Sequence, residues 1–307
     1  MRFSSAISIC LLATSAHAQC GSSLEFSEGR HIVVPRSASI QSTVNAFTIE
    51  AWIYPTAVPS PFNAIAGTWN DLGVNQRSFF IALQNGVPAV YVSTDGSNFP
   101  SVLASVGAPL NTWTHVAGTY DGANLRIYVN GILRGSAPQT GTVFQPAQPF
   151  YIGRLDGAGI RTQPCIGSLD EVRLWSQARS AAQIAADMGA TNVPPQATLL
   201  GSWSFNENAG FAAQDSSGNG NTGSLTNPPP LWSTPGAPVS GCCPADLNHD
   251  GFVEDADFII FVQAYNVLDC ADAAMPAGCP ADFNADAQVD DTDFQIFVVA
   301  YNELICQ

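Results

Sequence analysis

The chain has 307 residues, with ten basic and 25 acidic side chains and a formal net charge of −15. All ten bases are arginine, which excludes a P-loop and lysine Schiff-base chemistry. From Gly241 onward there are thirteen acids and no base, so that region offers nucleic acid no cationic face.

Met1-Arg2, an apolar stretch around Ile7 to Ala13, and Ala16-His17-Ala18 read as a secretory leader over 1–18, cut before Gln19. No later segment carries the roughly 18 apolar residues that cross a bilayer, so the protein is expected to be exported, soluble or held at a surface by a partner. Seven cysteines follow the leader: Cys20, Cys165, Cys242, Cys243, Cys270, Cys279 and Cys306. In an oxidising compartment most would be bridged, with one of the odd number left over. Cys243 and Cys270 are 27 apart, as are Cys279 and Cys306. Two within-unit bridges and crossed Cys243–Cys306 and Cys270–Cys279 bridges therefore fit equally. Without a Cys-x-x-Cys, zinc is disfavoured.

Residues 19–239 carry many short β-rich runs separated by Gly, Pro, Asn and Asp, the spacing of an all-β sandwich. About 200 residues can bury a two-sheet core unaided. The clearest run is Thr112 to Tyr120, a turn at Asp121-Gly122, Leu125 to Val129, a turn at Asn130-Gly131, then Ile132-Leu133. Leu125, Ile127 and Val129 alternate, and Asn-Gly suits a two-residue hairpin turn. Ser180-Ala-Ala-Gln183 predicts a capping box opening one helix before Ile184. Trp52, Trp113, Trp175 and Trp203 sit at strand positions and are expected in the core. Trp69 differs, since Gly67-Thr-Trp-Asn-Asp-Leu-Gly73 is loop-like and an exposed ring there could stack on a sugar, a reading secondary to a packed one.

Four phrases occur as an ordered set: Phe47-Thr-Ile-Glu-Ala-Trp-Ile53, Trp113-Thr-His-Val-Ala-Gly-Thr-Tyr-Asp-Gly122, Leu125-Arg-Ile-Tyr-Val-Asn-Gly131 and Ile166-Gly-Ser-Leu-Asp-Glu-Val-Arg-Leu-Trp175. Together, over residues 24 to 190, they resemble the laminin-G-like, concanavalin-A-type jelly roll. Trp203 to Glu207, Asp215 to Asn221 and Trp232 are read as closing the same sandwich, and the prolines at 228–230 and 235–238 as a stiff lead into a linker.

Some members of that fold hydrolyse glycans with a Glu-x-Asp-x-x-Glu strand holding two acids about 5 Å apart; no such strand is present. Asp170 and Glu171 are adjacent, so on a regular strand they would face opposite ways. Asp170 reads as a loop or calcium carboxylate near a strand start rather than a catalytic acid. A third calcium in the sandwich has little support, because the N-terminal strand offers only Ser27-Glu-Gly-Arg-His31. His115 reads as a packed strand residue, and Gly218-x-Gly220-x-x-Gly223 as a turn, because no helix follows it.

Residues 243–306 are written twice at a spacing of 36. Asp246, Asn248, Asp250, Glu254 and Asp257 take positions 1, 3, 5, 9 and 12 of a twelve-residue calcium loop, with the Phe252 carbonyl at position 7. Asp282, Asn284, Asp286, Asp290 and Asp293 repeat them, with the Gln288 carbonyl at position 7. Two bound Ca²⁺ ions are expected, since only a cation makes so many adjacent carboxylates tolerable. Phe258, Phe261, Val262 and Tyr265, then Phe294, Phe297, Val298 and Tyr301, recur at helical spacing, so each loop should run into a helix and the two should pack together. Position 6 requires φ > 0. Gly251 fills it in the first copy and Ala287 in the second, so the second site is expected to be the weaker or more strained.

A loop with Asp at position 12, a following helix and no preceding one resembles a dockerin, and the flanking cysteines resemble the GC-type subgroup. The resemblance implies attachment to a cohesin-like partner. Asp255-Ala256 and Asp291-Thr292 replace the hydroxyl pair of many dockerins, so partner identity does not carry over.

The expected fold is mainly β: a two-sheet jelly-roll sandwich over 19–239, then a small α-helical domain of two calcium loop-helix units over 240–307. The expected function is a secreted, non-catalytic binding protein. Its sandwich would recognise a carbohydrate or glycoprotein, and its tail would hold it on a cohesin-like partner. A structural or adhesion protein of the cell envelope and a polysaccharide-degrading enzyme are the alternatives.

Overall fold

The computed structural model describes residues 21–303 apart from 60, 71–74, 156–162, 192, 235, 240–244, 246, 248–254, 273, 277–278 and 284–285. Two antiparallel sheets face each other. In spatial order the first runs Ile132–Pro138, Asn124–Val129, Thr114–Tyr120, Phe47–Pro55, Gly167–Trp175, Ser23–Phe26 and Leu231–Ser233. Leu199–Trp203 pairs along the second half of Gly167–Trp175. The second sheet runs Ala212–Ala213, Gly223–Leu225, Ile32–Val34, Phe150–Ile152, Phe62–Trp69, Arg77–Gln84, Val87–Val92 and Ser101–Leu103. Hairpins supply the runs from Thr114 to Pro138 and from Phe62 to Leu103, while the remaining neighbours, such as Phe47–Pro55 beside Gly167–Trp175 and Ile32–Val34 beside Phe150–Ile152, are distant in sequence, as jelly-roll connections require.

Alternation decides which side chains fill the space between the sheets. Phe47, Ile49, Ala51 and Ile53 point inward from one sheet and Phe79, Ile81 and Leu83 from the other, all within one buried cluster. Phe47 stacks on Phe79 with centroids 4.5 Å apart. The hairpin predicted around Asn130-Gly131 forms, with φ of 49° and 73° at the two turn residues, as a two-residue turn of matching twist demands. The stretch after Trp203 closes the same sandwich: Gly223–Leu225 pairs with Ile32–Val34, and Leu231–Ser233 with Ser23–Phe26. The predicted capping box opens helix α1 (Ala181–Asp187).

Beyond residue 244, α2 (Asp255–Tyr265) and α3 (Asp291–Glu303) pack on each other around Phe261 and Phe297, with centroids 5.0 Å apart. Their core, with Ala245, Leu247, Ala264, Ala281 and Val289, is separate from that of the sandwich. Cys270 and Cys279 are joined, with Cα atoms 5.3 Å apart, which excludes the within-unit pairing. Cys243 and Cys306 lie outside the described residues, and Cys165 is a buried thiol. No helix among the described residues is long and apolar enough to cross a membrane.

Candidate functional site

Of the twelve loop residues singled out in the sequence, Asp246, Asn248, Asp250, Phe252, Glu254 and Asn284 lie outside the described residues. Asp257, the twelfth residue of the first loop, is buried in the first turn of α2. The second loop wraps its backbone around its own acids. Asp282 accepts from the Asp286 N–H at 3.1 Å through Oδ1 and from the Ala287 N–H at 2.9 Å through Oδ2. Asp286 accepts from the Gln288 N–H at 2.9 Å and Asp290 from the Thr292 N–H at 2.7 Å. Asp293, buried in the first turn of α3, accepts from Phe283 and Asp290 N–H groups at 2.8 and 2.9 Å, one on each oxygen.

The linker braces this loop from outside. Gln288 bridges antiparallel to Asp269, the Val289 N–H donates to the Leu268 carbonyl at 2.8 Å, and the Cys270 N–H donates to the Ala287 carbonyl at 3.1 Å. Ala287 itself adopts φ 68°, the left-handed turn expected at position 6. Holding an alanine there costs roughly 1–2 kcal/mol, against which glycine's greater unfolded entropy must be set. Ala287→Gly is accordingly expected to stabilise the tail by up to about 1 kcal/mol, read as a higher unfolding midpoint. A lower midpoint would show that the turn carries no strain.

Among the described residues, the metal-capable group whose ligand atoms lie within 4.8 Å of one another is Cys270, Cys279 and Asp282. Its sulfurs are committed to each other, while the loop acids are spread more widely on backbone N–H groups.

The helix pair carries the duplication onto its surface. A hollow of about 270 Å³ is lined by Phe258, Phe261, Val262, Tyr265, Asp291 and Phe294. A second, of about 310 Å³, is lined by Phe294, Phe297, Val298, Tyr301, Asp255 and Phe258. Adding 36 to the copy-one numbers and subtracting 36 from the copy-two numbers turns one set into the other, so the two hollows are related by a pseudo-twofold. Tyr265 donates to Asp291 and Tyr301 to Asp255, each at 2.5 Å. The helical spacing found these aromatics, but helix packing buries only Phe261 and Phe297, leaving Phe258 and Phe294 exposed.

On the sandwich, one expectation is overturned. A bulge between Asp170 and Arg173 puts φ 47° at Glu171, so the strand keeps Leu169, Val172 and Leu174 inside while Asp170 and Glu171 both face outward. They are nonetheless covered, each 2% exposed. Asp170 accepts from the Glu171 N–H at 2.8 Å and the Ala237 N–H at 2.7 Å, so it is a buried strand carboxylate tied to backbone rather than a loop residue. Burial, then the nearby Glu171, raises its pKa well above the ordinary aspartate value.

Glu171 accepts from Arg173 at 2.7 Å, and burial pushes it up to about 6. Alongside, Glu50 accepts from the Trp175 indole at 2.9 Å and pairs with Arg179. Burial, then Arg173 and Arg179, lowers His115 to about 3, so it is neutral and packed, as expected.

The structure does not expose Trp69. It ends the Phe62–Trp69 strand and is 2% exposed, packed against Phe80 with centroids 4.7 Å apart and met edge-on by Phe99 at 5.6 Å. Phe99 is the exposed ring, at 47%, a role nothing in its loop sequence signals. The Arg77 guanidinium lies 4.6 Å from the centroid of Phe99 and 5.7 Å from that of Trp69, and donates to the Ser97 carbonyl at 2.5 Å. Asp95 is held down to about 2 by the Ser97 N–H and by the side chain and N–H of Asn98.

A model of the concanavalin A-like lectin/glucanases superfamily, of laminin-G type, matches residues 26–185. Pappalysin-1 of Mus musculus is 25% identical over 187 residues, which are 54% of this chain and 11% of that protein. Pappalysin-1 of Homo sapiens is 32% identical over 110 residues, 34% of this chain and 7% of that protein. The chain thus spans about a tenth or less of the length of these curated relatives. A crystal structure of a candidate carbohydrate binding protein from Bacteroides ovatus superposes with a TM-score of 0.57 at 24% identity, covering 72% of this chain and 62% of that one. At that identity the likeness is one of fold.

Proposed function

The chain belongs to the concanavalin A-like lectin/glucanases superfamily, and from that premise we propose an exported, non-catalytic binding protein whose jelly roll, residues 19–239, recognises a carbohydrate or glycoprotein. Residues 240–307 hold it, through a calcium-dependent dockerin-like module, on a cohesin-like partner. The observation that carries the anchoring half is the second loop, where Asp282, Asp286, Asp290 and Asp293 are wrapped by their own backbone directly ahead of a helix.

The donor set fits a hard cation: acids and a backbone carbonyl, with lone pairs left over after the N–H bonds are made. Asp282, Asp286, the Gln288 carbonyl, Asp290 and Asp293, with Asn284, would hold one Ca²⁺. The corresponding six of the first loop, Asp246, Asn248, Asp250, the Phe252 carbonyl, Glu254 and Asp257, would hold another. Bound calcium supplies the positive charge that this base-free region lacks. The paired hollows on α2 and α3 are the surface assigned to the partner. For the sandwich, the family and the Bacteroides likeness support carbohydrate recognition, and the cover over Asp170 and Glu171 supports recognition without turnover.

The test is capture on immobilised full-length chain from an envelope extract of the source organism. Retention of a cohesin-type protein that EGTA releases supports anchoring; retention indifferent to EGTA, or none of such a protein, counts against it.

A further inference from the structure

We propose that Phe99 is the stacking platform of a binding site for neutral saccharides at the rim of the sandwich, an assignment that rests on reading the sandwich as a carbohydrate-recognition domain. A sugar ring turns one face of C–H groups to an aromatic partner, and the contact is strongest where the aromatic is exposed yet held still, because no rotamer freedom is then lost on binding. Phe99 meets both conditions. It is exposed at 47%, while Trp69 holds its edge and the Arg77 guanidinium stacks against it.

The loop that carries it is locked. Asp95 gathers the N–H groups of Ser97 and Asn98 and the Asn98 amide onto one carboxylate. Gly96, at φ 81°, is pressed so close to Asn75 and Phe144 that a Cβ would sit 2.6 Å from the Asn75 Cα and 2.9 Å from the Phe144 ring. Three connections therefore converge at this end of the sandwich: those following Phe62–Trp69, Val87–Val92 and Ile132–Pro138.

The chemistry around the platform selects the ligand class. Asn70 and Gln76, which flank its supports Trp69 and Arg77 in the chain, are neutral amides. Asn70 donates to Gln148 at 3.5 Å and Gln148 to Gln76 at 3.3 Å, with Ser97 and Asn98 on the loop itself. Such groups both donate and accept, as sugar hydroxyls do. The Arg77 guanidinium at the platform is committed to the Phe99 face and the Ser97 carbonyl, and the Asp95 carboxylate would repel an anion. A neutral polysaccharide fits; a uronate or sulfated one does not.

The test is affinity electrophoresis of the full chain in calcium, through gels containing xylan, mixed-linkage β-glucan or galactomannan, with alginate as the anionic arm. Wild type should be retarded by at least one neutral polymer. Phe99→Ala should weaken that retardation about tenfold and Phe99→Trp should keep it. Phe211→Ala is the control: this ring is 72% exposed on Ala212's edge of the second sheet, remote in strand order from the Phe99 loop, and its loss should change nothing. Unchanged thermal midpoints establish that the variants are folded. Equal retardation of wild type and Phe99→Ala would overturn the platform and leave carbohydrate recognition standing elsewhere. Phe99-dependent retardation by alginate alone would overturn the neutral class. A wild type retarded by none of the polymers, alginate included, would overturn both the platform and the carbohydrate reading.

Discussion

Stripping calcium with EGTA from the full chain, its Cys270–Cys279 bridge reduced, is expected to unfold the C-terminal helices while the sandwich stays folded, giving tail-specific proteolysis and a loss of helical circular dichroism. Thirteen acids and no bases lie beyond residue 240, and the core opposing their repulsion is a handful of side chains around Phe261 and Phe297. A unit of that size does not bury enough surface to hold itself without metal or disulfide help. Adding calcium back should restore helix with a stoichiometry near two. An excess of about 100 Kd over each site contributes about 2.7 kcal/mol per ion.

Asp293→Asn should remove one equivalent, since this acid closes the second loop from both oxygens. Asp246→Ala with Asp250→Ala should weaken binding more than Asp282→Ala with Asp286→Ala, because the glycine copy has more affinity to lose. Identical proteolysis and dichroism with and without EGTA, in the reduced chain, would end the calcium reading.

Arg173→Ala is expected to destabilise the sandwich by about 3–5 kcal/mol at pH 7, the cost of leaving buried charge unpaired. Arg173 is buried and donates to Glu171 and to the carbonyls of Asp187 and Ala190, tying the bulge to the end of α1. Glu50 lies opposite it on the neighbouring strand.

The sign with pH follows from the raised pKa of Glu171. A carboxyl titrating near 6 in the fold and near 4.5 when unfolded contributes stability that is complete below about 4.5 and lost as pH rises through about 6. Removing Arg173 takes away the charge that holds this value down, so the loss should extend to higher pH. The penalty of Arg173→Ala should then shrink as pH falls towards 5. Chemical denaturation of the sandwich transition at pH 5 and pH 8 would measure this, and a penalty equal at both would mean that the cost is lost packing alone.

The sequence carried the sandwich well, because Asn130-Gly131 and the alternation of Leu125, Ile127 and Val129 state local geometry directly. It carried the bulge too, in a form that regular alternation obscures. Leu169 and Val172 are three apart where a strand wants two, and that skipped beat is what turns Asp170 and Glu171 the same way. Gly67 misled, since a glycine before Thr68-Trp69 reads as loop. In the fold it is a strand residue whose missing Cβ makes room for Phe80, whose own Cβ lies 2.4 Å from where one would stand. Phe99 was illegible, because its exposure depends on Trp69 and Arg77 arriving from another hairpin. The cysteine pairing was equally so: two intervals of 27 are the same number whichever way the bonds run.

That pairing fixes more than a loop. The faces of α2 and α3 repeat each other, so a helix from a second chain could offer the same aromatic and Tyr–Asp contacts as the one in its own chain. Nine residues of open linker could reach about 30 Å, far enough for such an exchange. With Cys270 and Cys279 joined at 5.3 Å, that reach is taken out of the path between the two helices, which favours closure of the duplicated unit on itself.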